Sequence, residues 1–119
     1  MTMALKADVT RTCRNSGTCK PVDLVHLSNQ TMGDRALENE ILEIFLRHAH
    51  DYFHELKTGK TSTARRRAAH TLKGGARGIG AWDLADMANA AEAPDFNAIG
   101  ELEAEIERVC DYIRLLRRN

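Results

Sequence analysis

The chain lacks a surplus of either charge: lysine and arginine number 17, aspartate and glutamate 17, and the formal net charge is zero. A near-neutral chain has no general electrostatic attraction for nucleic acid. It lacks long apolar runs as well. The start, Met1-Thr2-Met3-Ala4-Leu5-Lys6, has no signal-peptide core, and nothing reaches the roughly 18 residues of a membrane span. A cytoplasmic location is therefore expected.

Cysteine is sparse, with three in 119 residues and no Cys-x-x-Cys pair. That excludes a disulfide framework and a zinc knuckle, so Cys13 and Cys19 read as reduced thiols. Cys110 falls on an apolar helical stripe and reads as core. There is no strand alternation, internal repeat or low-complexity tract. A P-loop and a kinase ATP-binding signature are missing too, so neither ATP binding nor self-phosphorylation is expected.

What is present is helical periodicity. Residues 1–20 carry Lys6, Arg11, Arg14 and Lys20 against Asp8 alone and read as a flexible basic arm. Pro21 suits the first turn of a short helix through Leu27, ended by Asn29 to Gly33. Asp34 caps a long helix from about Arg35 to Leu56. Its inward face is expected to be Leu37, Ile41, Ile44, Phe45, His48 and Tyr52, widened by Leu42, Leu46, Ala49 and Phe53. Gly59 offers a positive φ in the following turn, and Thr61 or Ser62 caps the next helix.

That next helix, reaching about Gly80, is the informative one. Ala69, Leu72, Ala76 and Ile79 make one apolar stripe, yet the same helix carries Gly74, Gly75 and Gly78. Each interior glycine costs roughly 1 kcal/mol relative to alanine, so bare backbone must serve some purpose. At about 100° per residue, Lys73 lies about 60° to one side of His70 and Gly74 about 40° to the other. Arg66 and Arg77 come within about 40° of the same meridian, and Arg67 within about 60°. His70 should face water among cations, beside exposed main chain. Such an imidazole suits a nucleophile that holds an anion covalently while another protein approaches.

A shorter alanine-rich helix follows from Trp82 to Ala93, packed through Leu84, Met87, Ala88 and Ala91, and Pro94-Asp95 breaks the chain. The last helix runs from about Asn97 to Arg117, with Ile99, Leu102, Ile106, Val109, Ile113 and Leu116 inward. The expected fold is all-α. Four long helices form an antiparallel bundle over 21–119, with a short additional N-terminal helix across one end.

His70-x-Leu72-Lys73-Gly74, with Ile79-Gly80-Ala81 behind it, resembles the signature of histidine-containing phosphotransfer domains of two-component signalling. Gly75, Ala76 and Gly78 stand where many members carry Ser, Ala or Asn. The resemblance implies that His70 Nε2 accepts a phosphoryl group from a response-regulator receiver aspartate and passes it to another. Lys73 would bind phosphoryl oxygens and Gly74 would admit the partner. Receiver domains are the implied partners, with a hybrid histidine kinase as a further one. Mg²⁺ would come from the receiver, and the chain itself would need no cofactor and act as a monomer. Arg66, Arg67 and Arg77 are candidates for anion binding, Arg77 being nearest the meridian. Val22, Val25, Met32, Ala36, Thr71, Gly75 and Gly78 are candidates for docking.

Two other readings compete. A non-catalytic helical adaptor would dock receivers through the glycine surface without phosphorylation. His50 and His54 are four apart, a spacing that can bind metal, with His48 nearby. No further ligand is evident nearby except Asp51, which lies off that face, and a solvated or partly packed pair explains them more simply.

Overall fold

A computed structural model describes residues 20–118, and every regular element among them is an α-helix. They are α1 (Leu24–Thr31), α2 (Arg35–Thr58), α3 (Ser62–Ile79), α4 (Trp82–Ala90) and α5 (Ile99–Arg118). The basic arm, with Cys13 and Cys19, lies outside the described residues except for Lys20.

α1 begins later than expected. Pro21 is not in its first turn, because Asp23 is the cap: its Oδ1 accepts the His26 N–H at 3.0 Å. Met32 and Gly33 both take left-handed backbone (φ 53° and 79°), which turns the chain into α2. Asp34 caps α2 as expected, accepting from the Leu37 N–H at 3.1 Å.

The inward face of α2 is rotated from the expected one. Leu42, Phe45, Ala49, Phe53 and Leu56 are buried, whereas Leu37 and Ile44 are 39% and 46% exposed. Both columns are apolar at helical spacing, and only the positions of the neighbouring helices decide which turns inward. Gly59 also differs, with φ −55°. Its need for glycine is spatial, since a Cβ there would lie 2.7 Å from the Glu55 carbonyl oxygen and 2.9 Å from Arg65 Cγ.

Thr61 rather than Ser62 caps α3, accepting from the Ala64 N–H at 3.0 Å. α3 buries Ala68, Ala69, Leu72, Ala76 and Ile79, and ends at Gly80 in left-handed backbone (φ 79°). Here a side chain is excluded twice over. The conformation favours glycine, and a Cβ would meet Asp23 Cβ at 2.8 Å and the Asp23 carbonyl oxygen at 2.9 Å. That close approach lets the Asp23 N–H donate to the Gly80 carbonyl at 2.9 Å, which pins the start of α1 to the α3–α4 corner.

α4 has only 9 residues, so the expected set of four long helices is corrected to three long ones and a short fourth. Turns occupy the stretch after Ala90, and they matter for the site. α2 packs on α3, α3 on α4, α4 on α5, and α5 returns to α2, while α1 lies against α2 and α3. One cluster fills the interior, including Leu27, Leu72, Ile79, Leu84, Leu102, Ile106 and Ile113. Cys110 belongs to it, fully buried as expected, and desolvation pushes its thiol up to about 11.

Candidate functional site

The outward face of α3 carries His70, whose side chain is 69% exposed. One face of α3 is fully committed to the core through Leu72 and Ala76, and the helical period sends His70 the other way. Its ring is nonetheless held. Nδ1 lies 3.1 Å from Glu92 Oε2, in the turn after α4. The same oxygen lies 2.7 Å from Lys73 Nζ, which also donates to Asn89 Oδ1 at 3.1 Å.

Lys73 is thus less free than the wheel suggested. Its side chain is 13% exposed, and its ammonium is clasped by α4 and the turn that follows. The Glu92 carboxyl is held below the ordinary glutamate value. The hydrogen bond from Lys73 is the largest cause; partial desolvation opposes it, and the bond from His70 and both positive charges add to it. An ionised carboxylate only accepts hydrogen bonds. In this contact Nδ1 therefore carries a ring hydrogen and donates it to the carboxylate.

Beside the ring, a Cβ placed on Gly74 or Gly78 would have no foreign atom within 4 Å. One on Gly75 would make ordinary contact with Phe45 at 3.6 Å. No intramolecular crowding requires glycine at 74 or 78. The missing side chains leave open backbone on the same side of α3 as His70.

A family model for the Hpt domain matches residues 40–115. The chain belongs to the Hpt domain family. Hpt domains serve phosphotransfer in two-component phosphorelays, where they interact with response regulators and kinases. No curated protein and no solved structure matches the chain. The matched span contains His70, Lys73, Gly74 and Glu92 but not α1.

In this Hpt domain the arginines divide. Arg66 and Arg67 line a cleft with Thr63, His70 and Glu92, whereas Arg77, the favoured candidate by wheel, is not among its walls. Seven residues along an α-helix is about 10 Å, which explains how a shared meridian fails to become a shared site. The docking candidates also divide. Val25 and Met32 are 71% and 93% exposed, and Ala36, Thr71, Gly75 and Gly78 are exposed. Val22 is corrected: at 1% exposure it is a core residue, buried just ahead of the Asp23 cap. Leu37 and Ile44, expected inward, join the exposed apolar residues instead.

Sequence reasoning missed Glu92 and Asn89 altogether. Glu92 acts across 22 positions and Asn89 across 16, from a neighbouring helix and its turn, and no local spacing announces either. The remaining histidines have other neighbours. His26 meets Trp82 edge-on at 4.7 Å, His48 stacks on Tyr52, and His50 Nε2 lies 2.6 Å from Glu107 across α2 and α5. Among the described residues, no three His, Cys, Asp or Glu side chains gather as a metal site. No helix there is long and apolar enough to cross a membrane.

Proposed function

We propose that this Hpt domain relays a phosphoryl group between the aspartates of response-regulator receiver domains through phospho-His70. The observation that carries the reading is the exposed imidazole held at Nδ1 by Glu92, on the same helix face as the bare Gly74 backbone. The Nε2 lone pair attacks the phosphorus of a receiver acyl phosphate. The phosphorus–oxygen bond breaks, and its electron pair leaves with the aspartate carboxylate. Mg²⁺ is supplied by the receiver, and the chain contributes no cofactor of its own.

Lys73 has three N–H donors, of which Glu92 and Asn89 occupy two. The third serves a phosphoryl oxygen as a charge-assisted hydrogen bond. Arg66 and Arg67 add positive potential along the cleft. Gly74 and Gly78 let the receiver surface approach, and Val25, Met32 and Ala36 extend the contact. An antiparallel four-helix bundle over 21–119, with α1 across one end, fits the closed ring of contacts from α2 to α5, and the protein acts as a cytoplasmic monomer. A hybrid histidine kinase is a further partner class.

The test is uptake of labelled phosphate from a phosphorylated receiver. His70→Gln should take up none while keeping its helical circular dichroism. Continued acid-labile labelling of that variant overturns the assignment. A non-catalytic adaptor would instead bind receivers equally well after His70→Ala, and the wild-type chain would never acquire the label.

A further inference from the structure

A second cleft opens where the end of α2, the start of α3 and the turns before α5 meet. We propose that it binds a small organic anion with an apolar body, an aryl or alkyl phosphate or carboxylate. The assignment does not depend on the relay. The cleft has a volume of about 450 Å³, within the roughly 300–1,000 Å³ of small-molecule sites.

Its floor is apolar. Leu56 and Ala91 are buried there, and Phe96 and Ile99 are half-buried, packed on the core from one side while lining the cleft with the other. An apolar body of ligand size would cover the surface these two leave in water.

Its rim is cationic. Lys57, Arg65 and Arg66 stand in the walls, and Glu92 is the one acid among the described residues there. Three positive charges less one leave an excess of two, and the Glu92 carboxylate is already bonded to Lys73 at 2.7 Å. Such a rim above an apolar floor favours a ligand with a negative head and an apolar tail, since Coulomb attraction strengthens where water is displaced.

Arg65 is set in place beforehand. Its Nη1 donates to the Gly59 carbonyl at 2.8 Å, and a Cβ on Gly59 would lie 2.9 Å from its Cγ. The turn after α2 thus omits a side chain where the Arg65 stem passes, and the remaining guanidinium donors are left for a ligand. A fixed guanidinium binds phosphate or carboxylate with little further ordering cost. Lys57 is held less directly, its ammonium 5.5 Å from the centre of the Phe53 ring.

The charge also selects against the chain's own start as occupant. Residues 1–19 carry Lys6, Arg11 and Arg14 against Asp8, the same sign as the rim.

The experiment titrates the full chain, labelled with nitrogen-15, with 1-naphthyl phosphate and follows the amide shifts by NMR. Saturable shifts should centre on Arg65, Phe96 and Ile99. The uncharged analogue 1-naphthylmethanol, and inorganic phosphate alone, should each bind at least about tenfold more weakly. Arg65→Met and Lys57→Gln, with wild-type circular dichroism, should each weaken the naphthyl probe by about fivefold or more. His70→Gln should bind it as the wild type does.

No saturable shift up to about 10 mM overturns the inference, as does equal binding of the uncharged analogue. Affinity untouched by both cation variants overturns it too, and so do shifts that gather on α3 around His70 and vanish in His70→Gln. Pentaglutamate binding as tightly as the naphthyl probe would make the rim a surface for acidic peptides and overturn the small-ligand assignment.

Discussion

The indole N–H of Trp82 donates to Asp23 Oδ2 at 3.0 Å, joining residues 59 positions apart. The other oxygen of that carboxylate accepts from the His26 N–H, so one side chain both caps α1 and ties it to α4. Burial works against an ionised Asp23. The bonds from Trp82 and His26, with the His26 charge and a backbone contact, outweigh it and hold the carboxyl below its ordinary value.

A folded-state value below the unfolded one means the contribution is complete above the ordinary aspartate range, about 3.9, and fades as pH falls through the folded value. Asp23→Ala should therefore cost about 1–3 kcal/mol at pH 7, from the lost cap and the lost Trp82 partner. The gap from wild type should narrow below about pH 4. Urea denaturation of both proteins at pH 7 and pH 3 checks it.

Two glycines should answer oppositely to alanine. At Gly74 a Cβ enters open space in a helix interior, so Gly74→Ala should stabilise the isolated protein by up to about 1 kcal/mol. It should also slow transfer from a receiver. Gly80→Ala meets Asp23 and a left-handed backbone and should destabilise by more than about 1 kcal/mol. Thermal melts beside phosphotransfer rates separate the two, and a Gly74→Ala chain with unaltered transfer would remove the access argument.

The Cys110 thiol, fully buried and pushed up to about 11, should be inert at neutral pH in the folded state. In a Cys13→Ser/Cys19→Ser variant, a thiol-reactive dye should label the chain only as it unfolds. Labelling in native buffer at the unfolded rate would contradict the burial.

The His50–Glu107 pair spans α2 and α5, but its side chains are 42% and 47% exposed. Solvent screening limits such a contact, so Glu107→Gln should change stability by less than about 1 kcal/mol. Phosphotransfer should be unaffected, as measured with any receiver that labels the wild type.

The parts of the site legible in the sequence were those within two turns of His70. Lys73 and Gly74 follow from helical spacing alone, because the period fixes which neighbours share a face. Glu92 was illegible for the converse reason: it arrives from a turn after α4, a turn whose position depends on α4 stopping at Ala90. α2 shows the same limit in the fold. Its length and its Asp34 cap were readable, but choosing between the Leu42–Phe45–Ala49 column and the Leu37–Ile44 column required knowing where α3 and α5 lie. Val22 was misjudged because an apolar residue ahead of a short helix reads equally well as docking surface or core.

The family match opens at residue 40, while α1 hangs from the α3–α4 corner by Asp23. In the proposed relay, reaction and address are thereby written on different lengths of chain. There the exposed Val25 and Met32 can change, and the choice of receiver with them, while His70 stays as it is.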